Sequence, residues 1–104
     1  MIHRSVLLQE VIKGLDIQPG DVVVDGTVGN GGHTLAIAEK FGKTVKLIGI
    51  DLDADAIERS KVRLKDVECD ITYVLGSFRN IDEHLHVLGI EGVNKVLLDI
   101  GLSS

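Results

Sequence analysis

A glycine-dense turn governs this chain: Asp25-Gly26-Thr27-Val28-Gly29-Asn30-Gly31-Gly32-His33, entered from the apolar run Val22-Val23-Val24 and left through a helix-like segment from Thr34 to Phe41. Four glycines within seven residues let backbone N–H groups approach a ligand closely and permit the sharp reversal from strand into helix. Twenty residues past Gly31 stands Asp51, closing a second apolar run from Val45 to Ile50. A carboxylate at that place can accept both hydroxyls of a ribose. Turn and acid together imply a ligand that contains a nucleoside.

The unbroken Val22-Val23-Val24 suggests a strand buried on both faces, as in a parallel sheet covered by helices on its two sides. The rest of the chain supplies the pieces. Apolar residues at 7, 8, 11, 12 and 15 give one amphipathic helix over residues 5 to 15, with Ser5 as N-cap, before Pro19-Gly20 turns the chain into the first strand. After the glycine turn, Leu35, Ile37, Ala38 and Phe41 form a helix stopped by Gly42, and Val45 to Ile50 is the second strand. Asp53 caps a helix running to about Lys65, with Ala56, Ile57, Ser60 and Leu64 inward and an Asp55 to Arg59 pair outside. Ile71 to Leu75 is the third strand, Asn80 or Ser77 caps a helix ended by Gly89, and Val96 to Ile100 is the fourth strand. Strands alternating with helices mean right-handed crossovers and ligands at the carboxyl ends of the strands. Asp25, Asp51 and Asp99 close strands one, two and four there, and Gly76-Ser77-Phe78 follows strand three.

With 104 residues the chain is expected to be one domain with a usable core. It carries 11 basic and 16 acidic residues, a formal net charge of −5, which gives no overall attraction to polyphosphate, so nucleic-acid binding by this chain alone should be weak. Arg59, Lys61, Arg63 and Lys65 interleave with acids and read as a solvated helix face. The single cysteine excludes an internal disulfide framework, and no apolar run approaches a membrane span or a signal core. A cytoplasmic protein is the expectation. Four strands are few for an open enzyme sheet, and the chain stops just after a strand, so it reads as the N-terminal portion of something longer. The outer edge of strand four, apolar and unguarded by proline or clustered lysines, is expected to recruit a second copy of the chain into a homodimer.

The glycine spacing helps to choose the ligand. Dinucleotide sites want G-x-G-x-x-G, and here Gly29-Asn30-Gly31 is followed by Gly32, His33 and Thr34 where a third glycine would stand. An NAD-binding half domain is thereby disfavoured. S-adenosylmethionine has no phosphate; its cationic sulfonium and amino groups and anionic carboxylate suit acids at strand ends beside N–H groups in a turn. Asp25 either contacts such a ligand or bonds the N–H groups of its own turn and holds its shape. Phe78 either stacks on an adenine ring or packs under the loop. His33 reads as a backbone-bonding residue at a helix start, with no metal-ligand spacing around it. His84 and His86 are expected at the surface, and Cys69 has no visible activating partner.

Taken together, His3-Arg4-Ser5-Val6-Leu7-Leu8, the block Asp25 to Thr34, Ile50-Asp51-Leu52-Asp53 and Leu97-Leu98-Asp99-Ile100-Gly101-Leu102-Ser103-Ser104 closely resemble the RsmH (MraW) family. Those are bacterial S-adenosylmethionine-dependent methyltransferases that methylate N4 of a cytidine in small-subunit ribosomal RNA. The resemblance implies an α/β, Rossmann-like parallel sheet forming half of a class I methyltransferase fold, with residues 1–104 as the cofactor-binding domain. By the same resemblance Gly31, Gly32 and His33 match the cofactor loop, Asp51 the ribose-binding acid, and Phe78 and Asp99 further cofactor contacts. Two departures stand out. Ser5 occupies a position where the family usually has proline, and family members run to roughly three times this size, as a catalytic domain with an inserted helical domain requires. The expected chemistry is direct methyl transfer to an exocyclic amine, catalysed mostly by positioning, with Asp99 to orient the amine, take up its proton, or serve only the cofactor. Turnover by this chain alone is not expected; a non-catalytic S-adenosylmethionine-binding module is the alternative.

Overall fold

Four strands and the helices between them follow the punctuation of the sequence. The computed structural model describes residues 12–26 and 32–98. Helical residues 12–15 lead through the Pro19-Gly20 turn, where Gly20 takes φ 91°, into β1 (Val22–Asp25). Then come α1 (Gly32–Phe41), a 3-10 turn (Gly42–Thr44), β2 (Lys46–Asp51), α2 (Ala54–Arg63), β3 (Asp70–Leu75), a second 3-10 turn (Phe78–Asn80), α3 (Ile81–Leu88) and β4 (Lys95–Leu97). The expected Ser5 cap lies outside the described residues, as does most of the first expected helix.

All pairings are parallel and the strand order is β3-β2-β1-β4. This is the helix-flanked, Rossmann-like parallel sheet that the sequence leads one to expect. The chain walks from β1 outward to β3, then crosses back over to pair β4 with the other side of β1. Asn94 pins that return: its side-chain oxygen accepts the Val22 N–H at 2.7 Å and its own N–H donates to Val22 C=O at 2.9 Å. The switch point of the sheet therefore falls between β1 and β4, the crevice where ligands of open α/β sheets collect.

Alternation along the strands builds two core layers. Val23, Leu47 and Leu97 face Ile37 and Ala38 of α1 and Leu64 beyond α2 on one side. Val24, Ile48 and Ile50 face Ile81 and Leu85 of α3 on the other, and Phe78 packs with them. Each such side chain, fully buried, stabilises the fold by about 1.5–3 kcal/mol. Helix ends use the chemistry expected of them. The Asp53 carboxylate accepts the Asp55 N–H at 2.9 Å, and Gly89 ends α3 at φ 74°, a left-handed turn that favours glycine.

Two expectations need correction, and one open choice is decided. Helix α1 begins at Gly32, two residues before Thr34, because the glycine-rich block already supplies its first turn. Arg59 reaches back to Asp53 at 4.0 Å, so the expected pair with Asp55 gives way to one with the capping acid. Between the two caps offered for the helix after β3, Ser77 is the one used: its hydroxyl accepts the Arg79 N–H at 3.1 Å, while Asn80 makes no side-chain cap.

Candidate functional site

At the carboxyl edge of the sheet the strand ends meet one another as well as their helices. The Gly26 N–H donates to Leu97 C=O at 2.8 Å, tying the exit of β1 to the end of β4 across the switch point. A side chain on Gly26 would have to displace its neighbours. A methyl group there would collide with Leu98 and stand 2.7 Å from the Phe78 ring. The loop after β3 thus folds back over the end of β2 and lays Phe78 against the exit of β1. Phe78 is half-buried and packs against the layer of Val24, Ile48 and Ile50, with part of its ring left accessible at this edge.

Asp25 is 3 % exposed, and its Oδ2 accepts the Thr34 hydroxyl at 2.8 Å. The bond joins the end of β1 to the first turn of α1 and so closes the base of the glycine turn. Of the two roles open to Asp25, the one that shapes the turn has a defined partner in Thr34. The amino end of α1, with Gly32 and the half-buried His33, opens on this same edge, where the positive end of a helix dipole favours an anionic group such as a carboxylate.

Asp51 ends β2. Asp25 aligns with Gly49 in the sheet, so Asp51 stands two residues farther out, roughly 6.6 Å along the strand. Its Oδ1 accepts the Asp53 N–H at 2.9 Å, which fixes the carboxylate's orientation, and its C=O accepts the Gly76 N–H at 2.9 Å. Leu52 beside it is 74 % exposed, so the acid is bordered by open apolar surface.

His84, expected at the surface, is only partly exposed. Its imidazole is half-buried, with Nε2 3.0 Å from Ser77 C=O, and it lies so near Gly76 that a methyl group on that glycine would stand 2.7 Å from Cε1. The signal was in the sequence: Ile81, His84 and Leu85 fall at the spacing of one helix face. His86 is exposed, as expected. Gly31 and Asp99 lie outside the described residues.

Cys69 belongs to the opposite end of the sheet. Its Sγ contacts Val45 C=O at 3.6 Å, and burial first, then the neighbouring Asp70 carboxylate, push the thiol above its ordinary range. A cavity of about 310 Å³ lined by Lys43, Val67, Glu68, Cys69 and Asp70 opens there, far from the glycine turn. Among the described residues no group of histidine, cysteine and carboxylate side chains is placed to hold a metal ion, and no helix is long and apolar enough to cross a membrane.

Known proteins of the same construction are numerous. Similarity reaches 48 % identity over 102 residues with the ribosomal RNA small subunit methyltransferase H of Lachnospira eligens, covering 98 % of this chain and 32 % of that protein. The protein of that name from Clostridium botulinum strain Hall is 47 % identical over 102 residues, covering 98 % and 33 %. The chain spans about a third of the length of these curated relatives. An rRNA methylase structure from Streptococcus thermophilus superposes with a TM-score of 0.58 at 29 % identity, over 80 % of this chain and 46 % of that one. A mycolic acid cyclopropane synthase complexed with SAH and CTAB shares the fold, with a TM-score of 0.71 at 18 % identity over 89 % of this chain and 30 % of the other. The sequence profile of the MraW methylase family matches residues 1–104, and the chain belongs to that family.

Proposed function

We propose that residues 1–104 form the S-adenosylmethionine-binding domain of an RNA methyltransferase that, in its complete form, methylates N4 of a cytidine in small-subunit ribosomal RNA. The observation that carries the reading is the placement of Asp51. Its carboxylate stands at the carboxyl end of β2 with one oxygen already oriented by the Asp53 N–H at 2.9 Å, on the edge that also holds Gly26 and Phe78. An acid so held suits the paired hydroxyls of a ribose.

The residues present fit this cofactor. The amino end of α1 suits the cofactor's carboxylate, and Leu98 and Phe78 close on Gly26 at the exit of β1 beside it. In this reading Gly31, Gly32 and His33 hold the amino-acid portion, Asp51 the ribose, and Phe78 one face of the adenine. Asp25 shapes the turn through Thr34, and Asp99 holds the cofactor or orients the acceptor amine and takes up its proton. When bound, S-adenosylmethionine supplies an electrophilic methyl group on sulfur. The protein's own contribution is to align the acceptor amine with that methyl group and to give its proton somewhere to go.

Because the relatives are about three times as long, turnover and ribosomal RNA recognition are assigned to the complete enzyme, in the cytoplasm. The net charge of −5 is consistent with weak RNA binding by residues 1–104 alone, and in this 104-residue chain, as distinct from the complete enzyme, the β4 edge is assigned to self-pairing. Calorimetry with S-adenosylhomocysteine, the demethylated product, tests the central point. The chain should bind, and Asp51→Ala should weaken binding by about 1.5–3 kcal/mol, the value of a hydrogen bond to a charged group. Equal affinity in wild type and variant would remove Asp51 from the site.

A further inference from the structure

The loop that carries Phe78 is held from outside the proposed pocket, and the residue that holds it is His84. Two contacts make the case. The His84 Nε2 stands 3.0 Å from Ser77 C=O. Ser77 C=O can only accept, so the ring must carry its proton on Nε2 and donate. The imidazole also presses against Gly76, so closely that a side chain on that residue would force the ring out of place. Gly76 in turn donates its N–H to Asp51 C=O at 2.9 Å, and Ser77 caps the 3-10 turn that presents Phe78 by accepting the Arg79 N–H at 3.1 Å. One half-buried ring thus braces, through two adjacent residues, the end of β2 that carries Asp51 and the turn that carries Phe78.

We infer that His84 is a positioning residue for the nucleoside half of the pocket, fixing the separation between the Asp51 carboxylate and the Phe78 ring while touching neither ligand nor reacting atoms. The inference rests on the cofactor reading given above. Its physical logic is that a glycine-serine loop has little rigidity of its own. Without the brace Phe78 would retain its apolar contacts with Val24 and Ile48 but sample several distances from Asp51. The ligand would then have to select one of them, lowering apparent affinity by the fraction of competent loop.

The test uses the 104-residue chain with two probes, S-adenosylhomocysteine and adenosine alone. His84→Ala should weaken both about tenfold, the equivalent of one lost hydrogen bond, and His84→Gln, whose amide N–H can reach Ser77 C=O, should recover most of that loss. A role confined to stability would lower the melting temperature of both variants without this rescue of affinity. The 15N spectrum of the wild-type imidazole gives a second check that needs no variant: at neutral pH it should show the Nε2–H tautomer, and an Nδ1–H tautomer would overturn the inference. Wild type that binds, Asp51→Ala that binds weakly and His84→Ala as tight as wild type would overturn the inference while leaving the cofactor reading standing. Wild type that binds neither probe would overturn both.

Discussion

The hydroxyl of Thr34 donates a 2.8 Å hydrogen bond to the carboxylate of Asp25, and both side chains are almost wholly withdrawn from water. Thr34 occupies the position where a dinucleotide fingerprint would place its third glycine, whose purpose is close packing of helix on strand. Here the position holds a polar tie that fastens the first turn of α1 to the end of β1. The departure from the fingerprint is thus a structural device, and it fixes the two ends of the glycine turn relative to each other.

Thr34→Val keeps the shape and removes the donor. It should destabilise the chain by about 1.5–3 kcal/mol, because the bond ends on a carboxylate in the interior. Urea denaturation reads this as a lowered midpoint at constant slope. An unchanged midpoint would show that the other contacts of Asp25 carry the turn without Thr34.

Ser60 presents the opposite case. It is 0 % exposed on the inner face of α2, and its hydroxyl has no hydrogen-bond partner among the described residues. Its small size fits the interface, but its polarity is not used there. Ser60→Ala removes a desolvated hydroxyl and raises helix propensity, so a gain of about 1 kcal/mol is expected. A loss of that size would mean that the hydroxyl has a partner in the folded protein.

Much of this is legible in the sequence. The Val22-Val23-Val24 run, the Asp53 cap and the Gly42 and Gly89 stops are local signals, and each element they mark is present. The inner face of α2 was legible because Ala56, Ile57, Ser60 and Leu64 obey a period that burial then enforces. What escaped was tertiary. No local pattern says that the loop after β3 folds back over β2 to place Phe78 on Gly26, or that Arg59 prefers Asp53 to Asp55. His84 lay between these cases: its helix face could be read, but not the glycine eight residues upstream that makes room for its ring.

Cys69 should react slowly while the chain is folded. Burial and the Asp70 carboxylate raise its pKa above the ordinary value, so at pH 8 its thiolate fraction lies below that of a free cysteine, whose pKa is about 8.5. Iodoacetamide alkylation should be slower in buffer than in urea, and the folded-state rate should keep climbing with pH beyond the point where the unfolded rate levels. The linkage has a definite sign. The folded state holds this proton more tightly, so the associated stability is present below the unfolded pKa and fades as pH rises through the folded one. Equal alkylation rates in both states would contradict the burial.

The outer edge of β4 has the clearest consequence for association. Among the described residues β4 pairs only with β1; Val96 on it is 42 % exposed, and Leu98, just past its end, 45 %. Unpaired N–H and C=O groups flanked by apolar side chains recruit another strand. A two-fold axis beside β4 would pair two copies antiparallel and join their sheets into one. Light scattering at tens of micromolar, where an interface worth about 8 kcal/mol is populated, should then report twice the 11.2 kDa chain mass. The choice of variant follows from burial. Leu97 is only 8 % exposed and a lysine there would damage the core, whereas Val96→Lys places its charge on the exposed side and should give a folded monomer. A folded wild-type monomer at the same concentration would mean that the β4 edge does not pair with itself.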